Sequence, residues 1–130
     1  LSDYKRDSLI EANSNNLIIY NSKMKSEKID KVGMSIDVIP TVYNLFGIEY
    51  DSRLIMGKDI LSTSEGIAIF KDKSWITNKG TYYASTGTFE AKTQDISDNY
   101  VDTINSIVSN RVAISRMIVE NNYYKYIFNK

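Results

Sequence analysis

The sequence contains no cysteine and no histidine, a single proline and only six glycines. Without His or Cys there is no Ser-His-Asp triad, no Cys-His pair, no cysteine-rich zinc site and no imidazole general base. The six glycines are too dispersed to build a phosphate-cradling loop. An excess of one charge is missing too: 16 basic and 16 acidic side chains give a formal net charge of zero. A neutral chain lacks the field that drives association with nucleic acid or an anionic membrane. No apolar run approaches the ~18 residues of a membrane span, and no signal-peptide pattern is visible. The missing cysteines fit both a reducing cytosol and a secreted protein without disulfides. The chain therefore reads as a cytosolic domain or as a piece of a longer protein.

What is present is a globular composition, 42% apolar and 12% aromatic over 130 residues. That length suits one domain and can bury roughly two-thirds of the surface its unfolded chain exposes. Residues 1–16 are polar, with a loop or short helix expected around 8–12. Leu17-Ile18-Ile19-Tyr20 is a continuous apolar run between Asn-rich flanks, the pattern of a strand buried on both faces. It is either an ordinary sheet strand or one separated from its neighbours. The Lys-rich stretch 21–33 reads as a solvated loop.

A short amphipathic helix is expected at about 36–46. Pro40 fits its first turn, Ser35 or Asp37 can cap it, and Gly47 is a natural residue just past its end. Residues 66–70, 74–77 and 81–86 read as three strands rich in β-branched and aromatic side chains. Asn78-Lys79-Gly80 reads as a three-residue hairpin loop with Gly80 at positive φ. Residues 88–91 extend this antiparallel meander. Ser97 is expected to open a long helix, with an apolar stripe at 101, 104, 107, 108, 112, 114, 117 and 118, ended by Asn121-Asn122. The aromatic tail 123–128 is expected to pack against the domain. The fold class is α+β: an antiparallel sheet of three or four strands packed with a long C-terminal helix, preceded by a strand and a short helix.

Candidate carboxylates are Asp37, Asp59, Asp72 and Glu90, and none falls in a metal-binding spacing. Asp37 is most simply a helix-start residue and Asp59 a turn former. Thr41 is a conceivable nucleophile without a visible base. Lys58 and Trp75 could line a pocket. The residues alone yield no catalytic constellation.

The segment IDVIPTVYNLFGI nonetheless resembles the D-x-x-P-T-x-x-x-L-x-G element in the C-terminal part of sulfatases and their alkaline phosphatase superfamily relatives. RLIMGKDILS, IAIFKDKSWIT and GTYYAS, in that order, resemble the lipoteichoic acid synthase-like phosphoglycerol transferases, an extracellular, membrane-anchored branch. LSDYKRDSLIEANSNNLIIYNSKM is similar to the stretch after that family's Gly-Asp-His metal motif. The resemblance implies a C-terminal fragment of an enzyme with a Thr nucleophile and a divalent metal, usually manganese. Such an enzyme transfers phosphoglycerol from a lipid head group on the outer side of a bacterial cytoplasmic membrane, anchored by upstream spans.

The resemblance further implies that nucleophile and metal ligands lie upstream, so no catalytic or metal-binding residue is carried over. Asp37, Pro40, Thr41, Gly47, Gly57 and Asp59 match family positions read as structural. Residues 1–62 would be the edge of the catalytic domain, with its central-sheet strand at 17–20, and residues 63–130 a small C-terminal subdomain. The partners implied are the missing catalytic domain and the lipid-linked phosphoglycerol; no nucleic acid is expected. Self-association through bared apolar faces is a further expectation. A sulfatase or phosphoethanolamine transferase fragment is an alternative. Another is a binding module holding glycan on Trp75, Tyr82 and Tyr83.

Overall fold

The computed structural model describes residues 13–128. A 3-10 turn at Ser35–Asp37 runs into helix α1 (Val38–Leu45). Strands β1 (Ala68–Ile69), β2 (Trp75–Thr77), β3 (Gly80–Tyr83) and β4 (Thr88–Ala91) follow. Helix α2 (Tyr100–Glu120) and the short α3 (Tyr123–Phe128) complete the described chain. The four strands pair antiparallel in sequence order, an uninterrupted meander. Sheet and α2 make the two layers of an α+β fold.

Register decides which side chains meet α2. Ile69 lies opposite Trp75, Trp75 opposite Tyr82 and Tyr82 opposite Phe89, a cross-strand row on one face of the sheet. Onto that row α2 lays Tyr100, Ile104 and Val108, spaced to share one helix face. Trp75 is 0% exposed, stacked on Tyr82 at 5.4 Å and edge-on to Tyr100 at 6.1 Å. Its indole N–H donates to Asn105 Oδ1 at 2.8 Å, so burial leaves no orphan donor.

Several expectations need correction. The 17–20 strand does not form: those residues carry no secondary structure, and Ile18 and Tyr20 are 86% and 87% exposed. A strand exists only where a neighbour takes its backbone hydrogen bonds, and the meander closes without this segment. The β2–β3 loop has two residues, not three, because Thr77 pairs with Gly80. Gly80 lacks a positive φ and is explained by space, since an added Cβ would lie 2.5 Å from the Glu90 carbonyl and from the Phe89 ring. Helix α2 starts at Tyr100, with Ser97 contributing only its carbonyl to the Tyr100 N–H. The expected element around 8–12 lies outside the described residues.

Two side-chain devices tie the loop before α1 to later parts of the chain, one to the meander and one to the connection ahead of it. Asn78 at the β2–β3 tip accepts from the Val32 N–H at 3.0 Å and donates to the Asp30 carbonyl at 2.7 Å, imitating a strand partner. Lys31 Nζ donates to the Ser62 carbonyl at 2.6 Å. At the other end, the Tyr124 hydroxyl of α3 donates to the Leu54 carbonyl at 3.1 Å.

Candidate functional site

The residues singled out in the sequence converge where α1 meets the loop 57–62. Asp37 sits at the junction of the 3-10 turn and α1, 7% exposed. Its side chain does not cap the first turn of α1, as expected of it. One oxygen accepts from the Met34 N–H at 2.8 Å, the other from the Lys58 N–H at 2.7 Å. One turn on, the Thr41 hydroxyl donates to the Asp37 carbonyl at 2.6 Å and accepts from the Ile60 N–H at 2.9 Å. The helix thus presents two side-chain oxygens at one-turn spacing to N–H groups of one loop.

The loop reciprocates. Asp59 accepts from Leu61 N–H at 2.9 Å and from the Asn44 amide at 2.6 Å. Gly57 makes the approach possible: a Cβ there would lie 2.0 Å from the Ile36 carbonyl oxygen, so only glycine lets the strands of backbone come together. Pro40 is buried beside Thr41. Gly47 stands apart, past the far end of α1, at φ +64°. There the Gly47 N–H donates to the Asn44 carbonyl and the Ile48 N–H to the Tyr43 carbonyl, a Schellman closure.

Every side-chain oxygen of this clasp is engaged. Both carboxylate oxygens of Asp37 and of Asp59 already accept, and the Thr41 hydroxyl both donates and accepts. Among the described residues no three metal-ligating side chains group together. Asp72 accepts twice from Ser74, which holds its carboxyl below the usual range. Glu90 accepts from the Tyr83 hydroxyl, raising that phenol. Trp75 is buried in the core between sheet and α2, with Tyr82 packed against it, so Trp75 offers no free stacking face for a glycan; Tyr83, the third residue of that alternative, lies on the opposite face of the sheet.

Lys58 does line a shallow surface hollow, with room for little more than a water molecule, shared with Lys31, Asp37, Asp59, Glu65 and Arg111. Arg111 had escaped notice in the sequence, although an arginine one turn beyond Val108 interrupts the apolar stripe. Beside the hollow, the Tyr100 hydroxyl donates to Glu65 Oε1 at 2.6 Å and lies 2.8 Å from Thr77 Oγ1. Burial, reinforced by Glu65, pushes this phenol up to about 12.

No family model and no solved structure matches the chain. Lipoteichoic acid synthase 2 of Bacillus subtilis (strain 168) is 27% identical to it over 113 residues, which is 85% of this chain and 17% of that protein. The chain spans less than a fifth of the length of the curated relative it matches. This similarity agrees with the likeness to the C-terminal part of lipoteichoic acid synthase-like proteins carried by the Pro-Thr helix and the segments after it. No helix among the described residues is long and apolar enough to cross a membrane.

Proposed function

We propose that the chain is the C-terminal supporting part of a sulfatase-like phosphoglycerol transferase, and that it carries none of the transfer chemistry itself. The observation behind this reading is the clasp, in which each side-chain oxygen of Asp37, Thr41 and Asp59 already holds a backbone or amide donor. A nucleophilic hydroxyl needs a base or a metal to take its proton, and Thr41 instead gives its proton to a main-chain carbonyl. On this reading the nucleophile and the divalent metal, manganese by resemblance, sit in the rest of the transferase. That protein works at the outer face of a bacterial membrane on a lipid-linked phosphoglycerol. Residues 17–20 and the outer half of α2 then meet the catalytic domain.

The experiment compares the isolated chain with the full-length transferase, each with and without Thr41→Val. The isolated chain is expected to release no phosphoglycerol from phosphatidylglycerol with manganese added. In the full-length protein Thr41→Val lowers the unfolding temperature and leaves turnover per folded molecule unchanged. Manganese-dependent turnover by the isolated chain that Thr41→Val abolishes would overturn the reading. So would a full-length Thr41→Val protein of normal stability and lost kcat.

A further inference from the structure

Residues 30–34 run beside β1 and its approach without joining the sheet. The backbones touch at Gly66, where an added Cβ would lie 1.8 Å from the Val32 carbonyl oxygen. Yet the bonds that hold this segment to the later chain all pass through a side chain. Asn78 takes Val32 and Asp30, and Lys31 takes Ser62. The fourth bond is of another kind. At the edge of the sheet, the Phe70 N–H turns inward to the Ser74 carbonyl. Its neighbour, the Ile69 N–H, turns outward and donates to Met34 Sδ at 3.4 Å. A main-chain donor on an open sheet edge is thus held by a thioether, a weak acceptor.

Met34 is also part of the clasp. Its own N–H donates to Asp37 Oδ2 at 2.8 Å, and the other oxygen of that carboxylate accepts from the Lys58 N–H at 2.7 Å. One residue therefore joins the sheet edge to the clasp, by sulfur on one side and by main chain on the other. The chain has no cysteine, so methionine sulfur is where a peroxide reacts. Met34 is half-buried, so its sulfur is within reach of a small oxidant. The bond has no space for an added oxygen. An N–H···O contact needs about 2.9 Å to the oxygen alone, and here nitrogen and sulfur are 3.4 Å apart. The sulfur must retreat by most of an S–O bond length or turn its oxygen away, and either movement breaks the present contact.

We propose that Met34 is an oxidation-sensitive latch, in which conversion of its thioether to the sulfoxide lifts residues 30–34 from the β1 edge and loosens the clasp. The oxidant is a peroxide. A sulfur lone pair attacks one peroxide oxygen, the S–O bond forms as the O–O bond breaks, and the departing hydroxide takes up the remaining proton as water. Sulfur loses two electrons and the peroxide gains them. The latch does not rest on the proposed function, because every group in it belongs to this chain.

The test is amide hydrogen exchange by NMR on the full chain before and after hydrogen peroxide, with mass spectrometry locating each added oxygen. It is run on wild type, on Met34→Leu, and on a chain with Met24→Leu, Met56→Leu and Met117→Leu that keeps Met34 alone. Oxidation should speed exchange about tenfold at the Ile69 and Lys58 amides, the scale of losing one hydrogen bond. The effect should appear in wild type and in the Met34-only chain, be absent from Met34→Leu, and reverse with methionine sulfoxide reductase. Exchange in residues 100–108 should not change. Met24 and Met117, 48% and 53% exposed, gauge the oxidant dose. Met34 left unoxidised when those two are fully converted would overturn the proposal. So would exchange at Ile69 that stays unchanged or slows once Met34 carries its oxygen, or equal acceleration in Met34→Leu.

Discussion

The two halves of α2 carry the same pattern and meet different fates. In residues 100–108 the stripe is buried: Ile104 and Val108 are each 2% exposed against the Trp75 row. In residues 111–120 the apolar positions continue, yet Ile114 is 45% and Val119 75% exposed. The backbone is one unbroken helix across both. Periodicity therefore specifies a face, and only the surrounding chain decides whether that face is covered. The small α3 turns back against the helix. The bare 17–20 run is exposed in the same way; on the proposed function both surfaces meet the rest of the transferase.

The sharpest way to break the comparison is to empty the inner contact. Trp75→Ala should cost about 3–5 kcal/mol, the range for removing a buried indole, measured by urea denaturation. A small loss would mean that the inner half of α2 is no better packed than the outer. The comparison itself is tested by two identical truncations. Ile104→Ala should cost about 2–5 kcal/mol, whereas Ile114→Ala should stay within about 0.5 kcal/mol.

A contrast of intermediate size comes from the clasp, which is held by polar bonds instead of a core. Gly57→Ala forces a Cβ against the Ile36 carbonyl, and Thr41→Val strands the Ile60 N–H. Each should cost about 1–3 kcal/mol, without altering hydrogen exchange in the outer half of α2.

The smallest effect is in the pH dependence at the inner end. The folded state raises the Tyr100 phenol to about 12, from a usual value of 10.0. A raised pKa means the fold favours the protonated form. That stabilisation is complete below pH 10 and disappears as pH rises through 12. The stability gap between wild type and Tyr100→Phe should narrow over that window. A gap constant from pH 9 to 12 would place the hydroxyl outside the buried network.

Much of the fold was legible because composition and period are local signals. The β-branched and aromatic runs marked the meander, and the 3.6-residue stripe marked α2. Residues 17–20 misled for the reason the outer half of α2 does: an apolar run states a demand for neighbours and does not supply them. Gly80 and Ser97 were misread because close approach of strands and the packing of Tyr100 are tertiary facts. At the candidate site the Pro-Thr helix stood out, and Asp37, Thr41, Gly57 and Asp59 do come together. The direction of the Asp37 carboxylate, reaching back to Met34 and across to Lys58, has no sequence signature. Arg111 did leave one, a charge within an apolar stripe.

The most direct test is hydrogen exchange on the isolated chain and on the same residues within the longer transferase it is proposed to belong to. Slower exchange in residues 111–120 and 17–20 of the longer protein, with residues 100–108 protected in both, is the predicted result. Equal exchange of residues 111–120 and 17–20 in both settings would contradict a supporting role for this chain.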